Sequence, residues 1–295
     1  MLTSRYKMVT FTFIRHGQST DNIKKAWAGW KDAPLSNHGM KVGTRHYQPS
    51  YNWLITPQQA TSLGKWFSDN EVHFTAILSS NLDRAATTAE IILNHQPEPH
   101  PPHVKSLLLR EQYFGIAEGK PWSKRLHNGS SLEEHYEQGI FPHLPRRSDR
   151  FPGGESRDDL AARAERAIDE LLMPHILSTE EQEYVHIAVI SHGLFIREIV
   201  NALYRREFGK ERLLENYRGL SNTGWTRVIV EVKNPQHSLK SISPLNLDLS
   251  VRITDFNKHE HLNNLVRQRG GIGSLAHDPK QKDIRGFFAG ATSKS

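Results

Sequence analysis

The sequence contains no cysteine and no long apolar run, and each absence excludes a class of protein. Without cysteine, the 295 residues can form no disulfide, zinc ribbon or iron–sulfur cluster and can supply no thiol nucleophile. No apolar stretch approaches the roughly 18–20 residues needed to span a bilayer, so we predict no membrane span. Residues 1–7 also lack the apolar core of a signal peptide. We therefore expect a cytoplasmic protein, and whether it also enters the nucleus stays open.

The net charge of +6 is concentrated near the end of the sequence. Residues 256–295 hold seven basic and three acidic residues, a net charge of +4, which leaves +2 for residues 1–255. A main domain so close to neutral argues against a nucleic-acid-binding surface on it. The last stretch also loses hydrophobic periodicity and gains glycine. We therefore predict one domain over 1–255 and a basic, partly disordered tail over 256–295, for which polyanion binding stays open.

Strands and helices are predicted to alternate along most of the chain. Apolar or β-branched runs predict strands over 9–14, 76–80, 186–191, 226–232 and 249–254. Apolar residues at helical spacing predict helices after Thr56-Pro57, over 82–94, after Ser156, and from Gly193 to Tyr204. This order is typical of an α/β fold with three α/β/α layers and a mostly parallel central sheet. Two stretches, 40–58 and 121–153, fit no element and are interpreted as insertions.

Arginine and histidine side chains follow three of the predicted strands. Arg15 and His16 end the first strand, Arg84 comes shortly after the second, and His192 ends the third. In parallel sheets, ligands bind beyond the carboxyl ends of the strands. Arginine supplies fixed positive charge and a planar fork of donors, and imidazole supplies a nucleophile or a further donor. Together these four residues suit a dianionic phosphoryl group.

Six segments, in chain order over residues 9–232, resemble the motifs of one known family. They are Phe13–Ser19, Gly29–Ser36, Ser79–Ala85, Leu109–Glu111 with Gly115, Phe151–Ser156, and Ser191–Gly193. This series is similar to that of the histidine phosphatase superfamily, and the resemblance implies the phosphoglycerate-mutase-like fold.

The resemblance also implies roles for the residues that follow the strands. His16 would attack phosphorus and become a transient phosphohistidine, so one of its ring nitrogens needs a free lone pair. Arg15, Arg84 and His192 would hold the phosphoryl oxygens, on which negative charge spreads in the transition state. Glu111 would protonate the leaving oxygen and then deprotonate the attacking water, for which we expect a raised pKa.

Four further positions are implied as substrate-binding. They are Ser19, Asn22, and the backbone at Gly193 and Leu194, whose N–H groups would donate to the phosphate. The resemblance implies no metal ion and no cofactor, because the arginines supply the positive charge. The partner expected is a small phosphorylated substrate, and a homodimer stays open.

The reaction itself stays open at this point. Mutases of the family have a tyrosine three residues after the catalytic glutamate, where this chain has Phe114, and their Asn-Lys pair is absent from 118–122. Arg146-Arg147 does resemble a mutase substrate segment. We favour the phosphatase branch, a metal-independent phosphomonoester hydrolase. The alternatives are phosphoglycerate mutase-type phosphoryl transfer and a non-catalytic phosphate-binding protein of the same fold.

Three departures or open points concern the surroundings of the site. Ala28 stands where relatives have a polar side chain, so one phosphate contact is expected to be missing. The 40–58 insertion is interpreted either as a lid or as a surface excursion, and 121–153 occupies the place where the family varies its substrate cap. Glu155 and Ser156 are interpreted as a turn and a helix N-cap.

Overall fold

The computed structural model describes residues 8–36, 58–123, 131–178, 184–208, 219–233 and 248–265. The predicted helix start at Thr56-Pro57, nearly all of the 40–58 insertion, part of the 121–153 insertion and most of the 256–295 tail lie outside the described residues.

The strands of the described residues are as follows: β1 Met8–Arg15, β2 Ala76–Ser80, β3 His103–Ser106, β4 Trp122–Ser123, β5 Phe141–Pro142, β6 Val185–Ser191, β7 Trp225–Val232 and β8 Leu249–Lys258. The α-helices are α1 Thr20–Lys24, α2 Gln58–Asp69, α3 Asp83–Leu93, α4 Leu132–Glu137, α5 Arg157–Ala167, α6 Met173–Leu177 and α7 Gly193–Phe208. A π-helical turn, Ile168–Leu172, joins α5 to α6.

The central sheet has six strands in the order β3-β2-β6-β1-β7-β8. The pairs β3–β2, β2–β6 and β6–β1 are parallel, whereas β7 runs antiparallel to β1 and β8 antiparallel to β7. The predicted mostly parallel sheet is therefore confirmed. The short strands β4 and β5 pair with each other outside this sheet.

Helices cover both faces of the sheet, as predicted for three layers. On one face, Phe11 and Phe13 of β1 lie in a buried cluster with residues of α5, α6 and α7. On the other face, Ile14 lies in a second cluster with residues of α2 and α3. This alternation follows from the two-residue period of a strand. Burying each phenylalanine contributes about 1.5–3 kcal/mol, which fixes the register of β1.

The structure extends or adds elements where the sequence pattern is weak. The last strand continues to Lys258, whereas the pattern predicted an end at Thr254. A 3-10 turn, Glu260–Leu262, then packs against α2, where Ser62 Oγ donates to the carbonyl of His261 over 2.6 Å. The part of the chain that packs on the domain therefore extends beyond residue 255, where we predicted the boundary between domain and tail.

Elements α4, β4 and β5 lie within the 121–153 insertion, and neither they nor the edge strand β3 was predicted. No helix in the described part of the chain has both the length and the apolar character required to cross a bilayer.

Candidate active site

The pairing of β1 with β6 brings two histidines together at the carboxyl edge of the sheet. Arg15 is in register with Ser191, and the N–H of His16 donates to the Ser191 carbonyl over 2.9 Å. The next residue after Ser191 is His192, so its ring lies beside that of His16, with 5.0 Å between the ring centroids. Both imidazoles are almost fully buried.

The ring of His16 is oriented by its own neighbour in the chain. Its Nδ1 lies 2.6 Å from the carbonyl oxygen of Gly17. A carbonyl only accepts, so Nδ1 carries the proton and Nε2 keeps its lone pair. Burial, followed by the charges of Arg84 and Arg15, lowers the pKa of His16 well below its ordinary value. The ring is therefore neutral near pH 7 and can act as a nucleophile.

Two arginines reach the same place from different elements. Arg15 ends β1 and donates to the Leu220 carbonyl over 2.6 Å. Arg84 lies in the first turn of α3, is fully buried, and donates to the Gly29 carbonyl over 2.6 Å. Burial lowers the pKa of both guanidinium groups, and the carboxylate of Glu111 opposes this effect.

Several polar atoms of these residues have no hydrogen-bond partner among the described residues. They are Nε of Arg15, Nε of Arg84, and both ring nitrogens of His192. Burial, followed by the charge of Arg84, lowers the pKa of His192 well below its ordinary value. Buried polar groups in native proteins are nearly always paired. Four unpaired nitrogens in one cluster are therefore what we expect where the oxygens of an anion bind.

Glu111 is held at the N-terminus of α7. Its carboxylate accepts the N–H groups of Leu194 and Phe195, each over 3.2 Å, and that of Gln112 over 3.0 Å. Burial raises the pKa of Glu111, although the N–H groups of Gln112 and Leu194 and the nearby arginines oppose the rise. The predicted raised pKa is thus present. The N–H of Leu194, predicted to contact substrate, instead has Glu111 as its acceptor.

Ser19 and Asn22 form the capping box of α1. Ser19 accepts the N–H of Asn22, and the N–H of Ser19 donates to Asn22 Oδ1 over 3.1 Å. Asn22 Oδ1 also accepts Asn222 Nδ2 over 3.1 Å. The amide oxygen of Asn22 is therefore occupied, and its NH2 group keeps its capacity to donate to a ligand. Ser19 is fully buried and acts as a helix cap.

Sequence reasoning missed the residues that support the histidine end of the site. Asn222 donates to the carbonyl of His16 over 3.1 Å, and the N–H of Thr223 donates to the carbonyl of Arg15 over 2.9 Å. Thr223 has a φ of +58°. The polar turn 221–224 directly before β7 was the available signal, since it resembles the polar ends of the other strands.

Part of the 121–153 insertion packs beside Glu111 as an aromatic cluster. Phe141 and Phe151 lie in a buried group with Phe114, and Trp27 packs on it with 4.8 Å between its ring centroid and that of Phe114. Leu194, whose N–H binds Glu111, also packs on this cluster. The cluster therefore forms an apolar wall next to Glu111.

Comparison with known proteins identifies the family. The model of the histidine phosphatase superfamily (branch 1) matches residues 57–242. This chain belongs to the histidine phosphatase superfamily. The match covers Arg84, Glu111 and His192 and begins after β1, so the placement of Arg15 and His16 rests on the geometry above. The family predicted from the six motifs is thus confirmed, and the chain is an enzyme of that superfamily.

Relatives within the histidine phosphatase superfamily include both phosphatases and mutases. A broad-specificity phosphatase of Saccharomyces cerevisiae is 26% identical over 66% of this chain and 70% of its own. A 2,3-bisphosphoglycerate-dependent phosphoglycerate mutase of Methylorubrum populi is 26% identical over 64% of this chain and 76% of its own. A solved structure named mycobacterial hydrolase 1 has a TM-score of 0.60 at 19% identity, covering 85% of this chain and 99% of that one. This last likeness supports the fold.

Proposed function

We propose that the protein is a metal-independent phosphomonoester hydrolase that acts through a phosphohistidine on His16. The observation that carries the proposal is the neutral, oriented ring of His16 beside three residues with unpaired buried nitrogens. Arg15, Arg84 and His192 would donate to the phosphoryl oxygens. The two guanidinium groups supply the positive charge that a metal ion would otherwise supply.

In the first step, Nε2 of His16 attacks phosphorus. The N–P bond forms, the bond between phosphorus and the ester oxygen breaks, and that oxygen takes the proton of the Glu111 carboxyl group. The raised pKa of Glu111 favours the protonated form that this step needs. The product that leaves is the free alcohol.

In the second step, a water molecule attacks the phosphorus of the phosphohistidine. The Glu111 carboxylate takes a proton from the water, the new P–O bond forms, and the N–P bond breaks. The electron pair returns to Nε2 of His16, inorganic phosphate leaves, and Glu111 is again protonated. The amide of Asn22 would hold a phosphoryl oxygen in both steps.

The surroundings of Arg147 favour hydrolysis over mutase transfer. A mutase must bind the carboxylate of a phosphorylated acid, and Arg146-Arg147 resembles a mutase substrate segment. Arg147, however, forms two hydrogen bonds with Glu198, of 3.1 and 2.9 Å, and a third with Asp158 of 3.0 Å. The guanidinium group of Arg147 is thus paired with carboxylates of α5 and α7. Phe114 in the apolar wall also replaces the mutase tyrosine.

The test is a rapid-quench experiment with a ³²P-labelled phosphomonoester in buffer containing a metal chelator. We expect a protein-bound label that is stable to base and labile to acid, followed by release of inorganic phosphate. His16→Ala should show neither, whereas His73→Asn, altered at an exposed position, should behave as the wild type. Transfer of label between positions of phosphoglycerate without phosphate release would support a mutase. Binding of phosphate without any turnover would support a non-catalytic protein.

A further inference from the structure

Arg163 of α5 has a saturated set of hydrogen bonds, and most of them go to the chain around Glu111. It donates to the carbonyl oxygens of Leu108 and Arg110, over 2.9 and 2.7 Å. It also donates to the carbonyl oxygen of Glu111 itself over 2.9 Å. Its side chain is only 10% exposed. One guanidinium group therefore holds three carbonyls of residues 108–111, and the chain has no regular structure over residues 110–114.

Glu155 completes the arrangement from the other side. Its two carboxylate oxygens accept Arg163 Nε and Nη2 over 2.9 and 2.8 Å, the parallel geometry of a bidentate pair. The same carboxylate accepts the N–H of Tyr113 over 2.9 Å. The backbone of Glu155 adds two contacts, since its N–H donates to the Tyr113 carbonyl and its carbonyl accepts Gln112 Nε2. Arg163 and Glu155 thus form hydrogen bonds with residues on both sides of Glu111.

The chain before Glu155 approaches this segment very closely. Gly115 has a φ of +53°, and a Cβ there would lie 2.2 Å from the Pro152 carbonyl oxygen. A Cβ on Gly154 would lie 2.8 Å from the Tyr113 carbonyl oxygen. Glycine at both positions allows residues 152–155 to lie directly against residues 113–115. The carboxylate of Glu155 can therefore reach the backbone beside Glu111.

Arg163 also touches the element that binds the carboxylate of Glu111. Its guanidinium carbon lies 5.2 Å from the ring centroid of Phe195, in the first turn of α7. That turn provides the N–H groups of Leu194 and Phe195 to Glu111. Trp30 adds a second donor to the Glu111 carbonyl, from Nε1 over 2.7 Å. The backbone of Glu111 and the turn that holds its side chain are thus fixed relative to each other.

We propose that Arg163 and Glu155 are positioning residues for Glu111. The inference rests on the proposed function, in which the Glu111 carboxyl group must reach the leaving oxygen within about 2.6–3.2 Å. Neither residue touches the reacting atoms. Their contribution is to keep the Glu111 backbone in the place from which its carboxyl group delivers a proton, and a displacement of about 1 Å there can cost on the order of 100-fold in rate.

The test compares two substrates of nearly equal shape, 4-nitrophenyl phosphate and phenyl phosphate. The nitrophenolate ion leaves without protonation, whereas the phenolate depends on the general acid. Arg163→Lys keeps the positive charge but loses the planar fork. We expect kcat/KM to fall about 10-fold or more further for phenyl phosphate than for 4-nitrophenyl phosphate. The quantity is kcat/KM because it reports the step in which the ester bond breaks.

The matched control is Arg206→Lys. Arg206 is 14% exposed and pairs with Glu165 and Asp169, so it resembles Arg163 in burial and pairing without contacting the Glu111 segment. It should keep the wild-type ratio of the two kcat/KM values. Glu155→Gln is a second variant that preserves an acceptor, and it should show the same selective loss as Arg163→Lys. In a Glu111→Gln background, Arg163→Lys should cause no further selective loss.

Equal losses for both substrates in Arg163→Lys and in Glu155→Gln would overturn the inference, because a structural role alone lowers both rates together. Wild-type kcat/KM values for both substrates in both variants would overturn it as well. These outcomes leave the proposed function intact, since the wild type still hydrolyses both esters. If the wild type hydrolyses neither ester, the proposed function fails and the positioning role falls with it.

Discussion

Burial shifts the two central titrating groups of the site in opposite directions. It lowers the pKa of His16, so the ring is neutral and nucleophilic near pH 7. It raises the pKa of Glu111, so the carboxyl group holds its proton to higher pH than an exposed glutamate does. Perturbed pKa values of two neighbouring groups, caused by burial together with charged neighbours, are typical of catalytic sites. Desolvation thus prepares each residue for its proposed role.

The first prediction concerns Glu111→Gln, which keeps the size of the side chain and removes its proton transfer. With 4-nitrophenyl phosphate, His16 should still be phosphorylated, but water attack should be slower by about 100- to 10,000-fold. We therefore expect a burst of one equivalent of nitrophenol followed by slow turnover, measured by stopped-flow absorbance. A variant that turns over at the wild-type rate would remove Glu111 from the mechanism.

The last strand and the turn after it support the end of β1 that carries Arg15 and His16. Asn257 Oδ1 accepts the N–H of Ser221 over 2.9 Å, and His261 Nε2 lies 2.9 Å from Thr223 Oγ1. Thr223 in turn donates its N–H to the carbonyl of Arg15. The chain beyond 255 thus reaches the site through the 221–224 turn. His261 is buried although it lies far along the chain.

The second prediction is that His261→Ala weakens both stability and activity. Loss of the contact with Thr223 and of a buried ring should lower the free energy of unfolding by about 1–3 kcal/mol, measured by urea denaturation. A looser 221–224 turn should also lower kcat for phosphate-ester hydrolysis. His259→Ala, two residues away at an exposed position, is the control. Similar behaviour of the two variants would argue against support of the site by this turn.

Buried neutral histidines lie at both ends of the parallel strands. His16 and His192 lie at the carboxyl ends of the parallel strands, whereas His186 is the second residue of β6 and lies at the opposite end. The hydroxyl oxygens of Thr12 and Tyr184 lie 2.7 and 2.6 Å from the two ring nitrogens of His186. Burial, followed by Arg227, lowers the pKa of His186 from 6.5 to about 3. Burial likewise lowers the pKa of His261 to about 4.

The third prediction is a loss of stability on mild acidification. Because these folded-state pKa values lie below 6.5, the unfolded chain binds protons that the folded chain does not, so the free energy of unfolding falls as pH falls. The window runs from about 6.5 down to about 3 for His186, with up to about 1.4 kcal/mol per pH unit for each histidine. His186→Asn should make the slope shallower in urea unfolding measured between pH 7 and pH 4. If it has the slope of His73→Asn, altered at an exposed position, the assignment is wrong.

The sequence predicts the parts of the site that directly follow strands, and the family resemblance predicts Glu111. The residues that support these groups from elsewhere are missed. Arg15 ends β1, and His16 and His192 directly follow β1 and β6. Arg84 lies in the helix that follows β2, so the sheet itself places all four at one edge. Arg163 lies in the middle of a helix, and its carbonyl partners carry no sequence signal. The same limit applies to elements. Strand β3 is short and half-exposed, and the end of β8 alternates with polar residues, so hydrophobic periodicity identifies neither.

The position of Glu111 beside Arg15 and Arg84 has a consequence for how the protein captures anions. A dianion that settles among the two guanidinium groups adds negative charge next to this carboxylate, which strengthens its hold on hydrogen ions. By reciprocity, a protonated Glu111 strengthens retention of the dianion to the same extent. Uptake of an anion and uptake of a hydrogen ion are thus two halves of one equilibrium. In the proposed cycle, the bound dianion would therefore help Glu111 to keep the hydrogen ion that the departing alcohol takes.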